Sequence, residues 1–398
     1  MAGTGAGRLR ARARLEALLA RHWWRWPPSA LSLALRPLAA LYGLLARADA
    51  MRKRRVAMAG PRLPVPVLVV GNLIAGGAGK TPTVIALVPT LQAAGWRPGI
   101  VSRGYGRDTR DGMQDAMQGG MQDAIQDDNA PRAVRPDSTA AAVGDEPLLM
   151  ARRTGVPVWV GSDRSAAARG LCAAHPEVNL LLADDGLQHH ALARDVEVLV
   201  FDERGLGNGL LLPAGPLREA PGSASAWGVP RFVLYTGGQR STPLSGALAL
   251  RAPAAEVWPL AAWWVGDARA AQPLASLQGR SLLALAGIAA PQKFYAPLSA
   301  AGLDITPLPQ PDHADYRSAL PWPPGTADVI TTEKDAVKLD PARCGATRVW
   351  VLPLDLSLPA GFVADVLAAL GSPLGPTPDP SDRPRPGATH PSAEQNPS

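Results

Sequence analysis

The chain has 398 residues, 46% of them apolar, so it is long enough to form more than one hydrophobic core. Its two cysteines, Cys172 and Cys344, exclude a disulfide-rich scaffold and a cysteine-based metal site. The net charge of +6 arises in residues 1–60, where twelve basic side chains stand against two acidic ones. Because the rest of the chain is net acidic, nucleic-acid binding by the whole protein is not expected.

Residues 1–60 form a basic and apolar segment in which two helices are predicted on either side of Pro27-Pro28. The second helix covers 29–47, and its apolar residues follow one helical stripe: Leu31, Leu35, Leu38, Tyr42 and Leu45. Arg36-Pro37 interrupts the apolar run, which favours helices lying on an anionic membrane surface over a helix that spans the bilayer. The alternative is a helical hairpin packed on the protein itself.

Residues 61–238 alternate strand and helix patterns, which is typical of an α/β domain with a mostly parallel sheet. Strands are predicted at 65–70, 99–102, 156–160, 178–183, 196–201 and 231–235. Gly95 ends a helix predicted over 81–94, whose apolar face consists of Val84, Leu87, Val88 and Leu91. A low-complexity insertion over 108–137 is expected to be disordered and to carry no chemistry.

A second, smaller α/β domain is predicted over 239–370, with a helix after Pro291 and strands at 281–286, 327–331 and 348–352. Residues 371–398 have few apolar side chains, so a disordered tail is expected there. The predicted fold class is an α/β protein with three parts. These are a P-loop NTPase-like α/β/α domain, a second α/β domain, and an N-terminal membrane-associated helical segment.

The segment GNLIAGGAGKTP at 71–82 follows an apolar strand pattern and has the composition of a phosphate-binding loop. In such loops backbone N–H groups and a helix N-terminus converge on a phosphate, while a Lys reaches the outer phosphates and a hydroxyl binds Mg²⁺. The residues predicted to bind the nucleotide here are Gly76, Gly77, Ala78, Gly79, Lys80 and Thr81. The strict pattern requires glycine at the position of Ile74, so this loop is a variant.

Polar residues follow other predicted elements. Asp184-Asp185 ends a hydrophobic strand, where P-loop enzymes often place a metal-binding carboxylate, and Asp145 begins a helix. Arg103 follows a further strand, and Asp312-His313 is a carboxylate–imidazole pair of the type used in proton transfer. Each has a simpler explanation when taken alone. Asp184-Asp185 could be solvated acids in a turn, and Asp145 could interact only with the helix dipole. Arg103 could belong to an ordinary glycine-rich loop, and Asp312-His313 could be a chance pair at the surface.

Eight segments occur in the order found in one family: GNLIAGGAGKTP, SRGYGR, VGDEPLLMA, DDGLQH, PAGPLRE, AGIAAPQKF, PDHADY and TTEKDAVKL. On these segments, residues 60–355 resemble the tetraacyldisaccharide 4′-kinases, the lipid A 4′-kinases of Gram-negative envelopes. The family's glycine loop also lacks the first glycine, so Ile74 agrees with the resemblance. The chain departs from the family at the insertion, at the tail, and at Ala314, since that region is usually richer in histidine.

The resemblance implies transfer of the ATP γ-phosphate to the 4′-hydroxyl of a tetraacylated glucosamine disaccharide 1-phosphate, with Mg²⁺ as the metal. It implies a peripheral or monotopic protein at the cytoplasmic face of the inner membrane, and no protein partner is evident. The implied catalytic residues are Asp145 as base, His313 as its assistant, and Asp185. The implied metal ligands are Thr81, Asp184 and Glu219, and the implied phosphate or substrate contacts are Arg103, Arg164 and Arg218.

Two other functions remain open from the residues alone. The first is a P-loop ATPase or GTPase, for which a guanine-reading segment would be expected; the nearest, at 332–335, lacks its Asn. The second is a membrane-peripheral nucleotide-binding regulator, which would need no proton acceptor such as Asp145.

Overall fold

The computed structural model describes residues 19–104, 130–222, 225–312 and 314–373. In these ranges the strands form an eight-stranded, a six-stranded and a two-stranded sheet. This mixed α/β architecture with parallel strands confirms the predicted fold class at that level. The boundaries drawn between the two predicted domains stay a prediction. His313 lies outside the described residues, as do residues 1–18 of the predicted N-terminal segment, 108–129 of the predicted insertion and 374–398 of the predicted tail.

In chain order the strands are β1 Val67–Gly71, β2 Pro98–Ser102, β3 Arg132–Ala133, β4 Val158–Val160, β5 Leu180–Asp184, β6 Val196–Phe201, β7 Arg231–Tyr235, β8 Ala247–Leu248, β9 Leu250–Pro253, β10 Glu256–Pro259, β11 Gln272–Pro273, β12 Ser281–Ala286, β13 Asp304–Pro309, β14 Asp328–Thr332, β15 Arg348–Leu352 and β16 Leu354–Ser357. The helices are α1 Ala30–Ala34, α2 Arg36–Ala59, α3 Lys80–Ala93, α4 Ala140–Val143, α5 Asp145–Thr154, α6 Arg164–Ala174, α7 Leu260–Val265, α8 Gln292–Ala300, α9 Glu333–Ala336 and α10 Ala360–Leu370. The nine strands and the helix at 81–94 expected from the sequence are confirmed to within two residues at each end.

The eight-stranded sheet has the order β3-β4-β2-β5-β1-β6-β7-β8, and its neighbouring strands are parallel except for β3. Strand β1 lies between β5 and β6, with Val70 opposite Asp184. The chain therefore leaves β1 and β5 at the same edge of the sheet, which is where ligands bind in folds of this type.

Both faces of this sheet are covered, which explains why its strands are continuous apolar runs. Leu68 and Val70 pack with Val84 of α3 in one cluster, and Val67 and Val69 pack with residues of α6 in another. Helix α10 follows the second sheet in the sequence, but its residues Phe362 and Val366 pack in the cluster of α3.

The six-stranded sheet has the order β11-β10-β15-β14-β12-β13. Helix α5 contacts the cores of both large sheets. Met150 packs in the cluster that contains α3, whereas Leu148 and Leu149 pack with Trp263 and Val329 of the second sheet and its helix. The residue that begins α5, Asp145, is consequently positioned by both sheets.

The N-terminal helix predicted over 29–47 is split at Leu35, and its second part continues through the basic cluster to Ala59. Pro37 lies in the first turn of α2, where its missing N–H costs nothing. On α2, Leu38 is 51% and Leu45 is 63% exposed, while Tyr42 donates to the carbonyl oxygen of Arg218 at 3.2 Å. One side of the helix thus packs on the protein. Within the described ranges, every helix is too short or too polar to cross a membrane.

The expected disorder over 108–137 is wrong for its last residues. Strand β3 lies inside that range and pairs antiparallel with β4 at the edge of the sheet. The backbone N–H of Val134 donates to Val158 at 2.8 Å. Hydrogen bonding to an open sheet edge orders these residues.

We expect Phe362→Ala to lower the free energy of unfolding by about 3 kcal/mol, because a buried phenyl ring between α10 and the eight-stranded sheet is lost. Urea unfolding followed by circular dichroism measures the change. Leu250→Ala, at a side chain that is 69% exposed, is the control and should cost less than about 0.5 kcal/mol. Equal stability of Phe362→Ala and the unsubstituted chain would mean that α10 is not part of this core.

Candidate active site

The glycine loop connects β1 to α3 at the edge where β5 also ends. Gly76 and Gly79 have φ values of +95° and +86°, a region that favours glycine. A Cβ atom at Gly79 would lie 2.9 Å from Oγ1 of Thr236, so a larger residue does not fit there. The loop closes with the side-chain amide of Asn72, which donates to the carbonyl oxygen of Gly76 at 3.0 Å. Helix α3, of 14 residues, begins at Lys80.

The amine of Lys80 lies at the centre of the site and is buried. Its Nζ is 3.3 Å from Oδ1 of Asn72 and 3.4 Å from Oδ1 of Asp185. The amine is thus held by a neutral and an anionic oxygen. A phosphate bound at the loop would compete with Asp185 for the Lys80 amine. The amine could therefore exchange Asp185 for a phosphate when a nucleotide binds.

The adjacent carboxyl groups Asp184 and Asp185 have opposite environments. Oδ2 of Asp184 accepts from Oγ of Ser102 at 3.2 Å, and its buried Oδ1 has no hydrogen-bond partner among the described residues. Burial, with the charges of Glu146 and Asp185, raises the pKa of Asp184 to about 7. Burial also acts to raise the pKa of Asp185, but nearby cations, Lys80 first, bring it below its ordinary value. Asp185 therefore stays ionised while Asp184 titrates near neutrality.

Asp185 has φ +47°, a backbone conformation that strains a residue other than glycine. The turn directs its carboxylate to Arg218, whose Nη1 is 3.4 Å from Oδ1, and its carbonyl oxygen to Arg164, whose Nη2 is 3.2 Å away. Arg164 is the first residue of α6 and is buried. Burial lowers the pKa of its guanidinium, and the positive charge of nearby Arg103 lowers it further. The structure therefore brings the three predicted arginines to the edge of the sheet.

Gln188 links Glu219 to the rest of the site. Its Nε2 donates to Oε1 of Glu219 at 3.1 Å and to the carbonyl oxygen of Asn72 at 3.1 Å, and its Oε1 accepts from Arg218 at 2.9 Å. Burial raises the pKa of Glu219. The side chain of Gln188 thus connects Glu219 to Asn72 at the start of the glycine loop.

Asp145 is the first residue of α5, preceded by Gly144 with φ +96°. Its side chain is buried, and Oδ1 accepts from the backbone N–H of Glu146 at 2.9 Å. The next residue, Glu146, lies 3.3 Å from Nζ of Lys334, and the same amine is 3.0 Å from Oδ1 of Asp312. Asp145 therefore lies close to the segment that contains Asp312, although its contact with His313 stays a prediction.

The residues present fit a metal ion as well as a phosphate. The unpartnered Oδ1 of Asp184 is buried at the edge that the glycine loop occupies, and a cation beside it would favour the ionised form. Magnesium in kinases uses one or two carboxylates together with substrate phosphates. Among the described residues, no group of three or more His, Cys, Asp or Glu side chains could hold a metal ion.

Sequence reasoning did not assign several residues that complete the site. Asn72 follows β1 directly, Gln188 belongs to the DDGLQH segment, and Ser102 ends β2. Asn72 and Ser102 could have been found only from their positions at strand ends, because Asn and Ser are common in loops. Lys334 had a stronger signal, since the chain contains only five lysines.

Comparison with known proteins decides the family. The model of the family described as tetraacyldisaccharide-1-P 4′-kinase matches residues 31–371. The chain belongs to this family. The tetraacyldisaccharide 4′-kinase of Methylibium petroleiphilum is 52% identical over 92% of this chain and 96% of the relative, and that of Leptothrix cholodnii is 51% identical over 90% and 97%. The resemblance inferred from the eight segments is confirmed.

The fold is similar to that of a 4′-kinase of the same family in the crystal structure of LpxK from Aquifex aeolicus in complex with ATP. The TM-score is 0.62 with 24% sequence identity, and the match covers 86% of this chain and 100% of the other. At this identity the likeness supports the fold alone. The roles of individual site residues therefore depend on the geometry described above.

We expect Asp184→Asn to raise the free energy of unfolding of the metal-free chain at pH 8 by a few kcal/mol. A difference of one between the folded and unfolded pKa corresponds to about 1.4 kcal/mol. The folded-state pKa of about 7 exceeds the ordinary value of 3.8, so the ionised group costs stability increasingly as pH rises between these values. At pH 4 the difference should nearly vanish.

Urea unfolding with a chelator at both pH values measures this difference. Asp365→Asn, at an exposed carboxylate on α10, is the matched control and should change stability by less than about 0.5 kcal/mol. An Asp184→Asn chain that is no more stable than the unsubstituted chain at pH 8 would contradict the environment assigned to Asp184.

Proposed function

We propose that the chain transfers the γ-phosphoryl group of ATP to the 4′-hydroxyl of a tetraacylated glucosamine disaccharide 1-phosphate, a step of lipid A biosynthesis. The observation that carries the proposal is the 3.4 Å contact between Lys80 and Asp185, which joins a phosphate-binding loop to the acidic end of β5. A general P-loop ATPase or GTPase, or a nucleotide-binding regulator, is not favoured, because the family match covers residues 31–371.

In this proposal residues 76–81 bind the ATP phosphates. The backbone N–H groups of the loop and the first turn of α3 provide donors, and Lys80 moves from Asp185 to the outer phosphates. Arg103, Arg164 and Arg218 supply further positive charge for the phosphates or the lipid substrate. The relative from Aquifex aeolicus forms a complex with ATP, which supports the nucleotide assignment.

The hydroxyl of Thr81 and the carboxylates of Asp184 and Glu219 would hold Mg²⁺. Such an ion neutralises phosphate charge, both in the bound nucleotide and as the phosphoryl group transfers. Asp185 serves a different purpose in the proposal. Its ionised carboxylate holds Lys80 and Arg218, and its carbonyl oxygen holds Arg164.

Asp145 is the proposed proton acceptor for the sugar hydroxyl. As the proton moves to its carboxylate, the sugar oxygen bonds to the γ-phosphorus and the bond between that phosphorus and the ADP oxygen breaks. We assign His313, next to Asp312 in the chain, to assist Asp145 from the second domain. If the two residues approach only when the cleft closes, water is kept out during transfer.

We also propose that the chain lies at the cytoplasmic face of the inner membrane as a peripheral or monotopic protein. Helix α2 exposes Leu38, Leu41, Leu44 and Leu45, and the same helix contains four consecutive basic residues at 52–55. Apolar side chains beside basic ones are the combination that binds an anionic bilayer surface.

We expect Asp145→Asn to lower kcat by about 10²–10⁴-fold, because the hydroxyl loses its proton acceptor, and to leave ATP affinity nearly unchanged. Transfer of label from γ-labelled ATP to the lipid disaccharide 1-phosphate measures kcat, and Asp365→Asn is the control. Unlabelled lipid with ATP bound to the unsubstituted chain would refute the kinase proposal. Unchanged turnover of His313→Ala at every pH would refute only the assistance by His313.

We expect the double substitution Leu44→Glu and Leu45→Glu to reduce co-flotation with anionic phospholipid vesicles at least tenfold. Burying each leucine in lipid contributes about 1.5–3 kcal/mol, which a charged residue removes. Val265→Glu, at a side chain that is 80% exposed elsewhere, is the control and should float as the unsubstituted chain does. Unchanged flotation of the double variant would mean that this side of α2 does not contact the bilayer.

A further inference from the structure

Lys334 connects two acidic residues that come from different parts of the chain. Its Nζ lies 3.3 Å from Oε1 of Glu146, the second residue of α5, and 3.0 Å from Oδ1 of Asp312 in the connection after β13. The Lys334 side chain is 19% exposed. Burial acts to lower the pKa of its amine, but Glu146, Asp145 and Asp312 together raise it, so the amine stays charged.

The backbone that carries Lys334 is fixed by the residue on one side of it. Asp335 is fully buried, and its carboxylate accepts from the backbone N–H of Gly287 at 2.7 Å, the hydroxyl of Tyr316 at 2.8 Å and the hydroxyl of Thr332 at 2.8 Å. These bonds hold the turn between β14 and α9 against two neighbouring segments of the second sheet.

The residue on the other side of Lys334 is also anchored. Glu333 is buried and accepts from Arg153 at 2.6 Å, Trp263 at 3.2 Å and the backbone N–H of Leu354 at 3.2 Å. Glu333 is thereby tied to Arg153 near the end of α5, and Asp335 to Tyr316, four residues after Asp312. Lys334 reaches the first turn of α5 and Asp312 itself, from a backbone that has little freedom to move.

We propose that Lys334 is a positioning residue for the phosphoryl transfer, which holds the Asp312 segment against the first turn of α5 and so fixes the geometry around Asp145. The inference rests on the proposed role of Asp145 as proton acceptor. Lys334 touches neither nucleotide nor sugar in this role. Its amine lies between the carboxylates of Glu146 and Asp312, which would otherwise repel each other.

The size of the effect follows from the precision that the reaction requires. A displacement of about 1 Å of a reacting group can cost about 100-fold in rate even when the substitution lies away from the chemistry. Methionine at position 334 would keep the length of the stem but leave Glu146 and Asp312 without their shared cation. Arginine would keep the charge with a different donor geometry.

The test measures kcat and KM for the lipid and for ATP with the full chain and with Lys334→Met. We expect kcat to fall about 10–100-fold, with ATP affinity within about twofold of the unsubstituted chain, because the glycine loop is not altered. Lys334→Arg should recover at least a third of the lost kcat. A kcat for Lys334→Met equal to that of the unsubstituted chain would overturn the inference.

Lys293→Met is the matched control. Lys293 lies on α8, and its Nζ is 2.6 Å from Oε1 of Glu203 in the connection after β6, so it too joins a helix of the second sheet to the first sheet. Removing that ion pair should leave kcat within about twofold, since an exposed pair contributes little. An equal loss of kcat in both variants would mean that losing either ion pair between the two sheets' elements lowers kcat. That result would overturn a specific role for Lys334.

Asp312→Asn completes a double-substitution cycle. If Lys334 acts by holding Asp312, the two substitutions together should lower kcat no more than the stronger one alone, whereas multiplicative effects would overturn the inference. Should Lys334→Met not fold, Asp312→Asn alone decides: a kcat reduced at least fivefold supports the inference, and a smaller change overturns it. Absence of transfer by the unsubstituted chain would instead refute the proposed function.

Discussion

Strand β1 pairs in parallel with β5, with Val70 opposite Asp184, and most features of the site depend on this pairing. Parallel neighbours end at the same edge of a sheet, so the glycine loop after β1 must meet the acids after β5. A shift by one residue would turn Asp184 to the opposite face and remove the carboxylate pair from the loop. The covered faces fix the register, because Val67 to Val70 pack alternately in two cores.

The same pairing forces charges together that would separate in water. Lys80, Arg164 and Arg218 surround Asp185, while Asp184 beside it is buried with an oxygen that has no partner among the described residues. Such an arrangement costs stability, which proteins tolerate where the charges are used. The phosphates of a nucleotide would bind to the three cations, and a metal ion would bind to the carboxylate of Asp184.

The sequence predicts the strands that are buried on both faces, because long apolar runs such as 65–70 and 196–201 have few alternatives. It predicts Lys80 and Asp184 because glycine loops and strand ends limit where phosphate and carboxylate chemistry can occur, whereas the role of Asp145 comes only from the resemblance to the family. It misses short pairings such as β3, which depend on an open edge supplied by β4. It also misses Asn72 and Lys334, because Gln188 and Glu146, with which they form hydrogen bonds, are more than 100 residues away in the chain.

The contact between Tyr42 and Arg218 gives α2 a second property. The phenol of Tyr42 donates to the carbonyl oxygen of Arg218, so the helix with the exposed leucines is tied to the residue next to Glu219 in the site. A bilayer bound to those leucines would lie at a fixed distance from the arginines that are proposed to bind phosphate. The helix would then set the distance between the bilayer surface and the site. Only a head group that projects far enough from the lipid surface could place a hydroxyl within reach of Asp145.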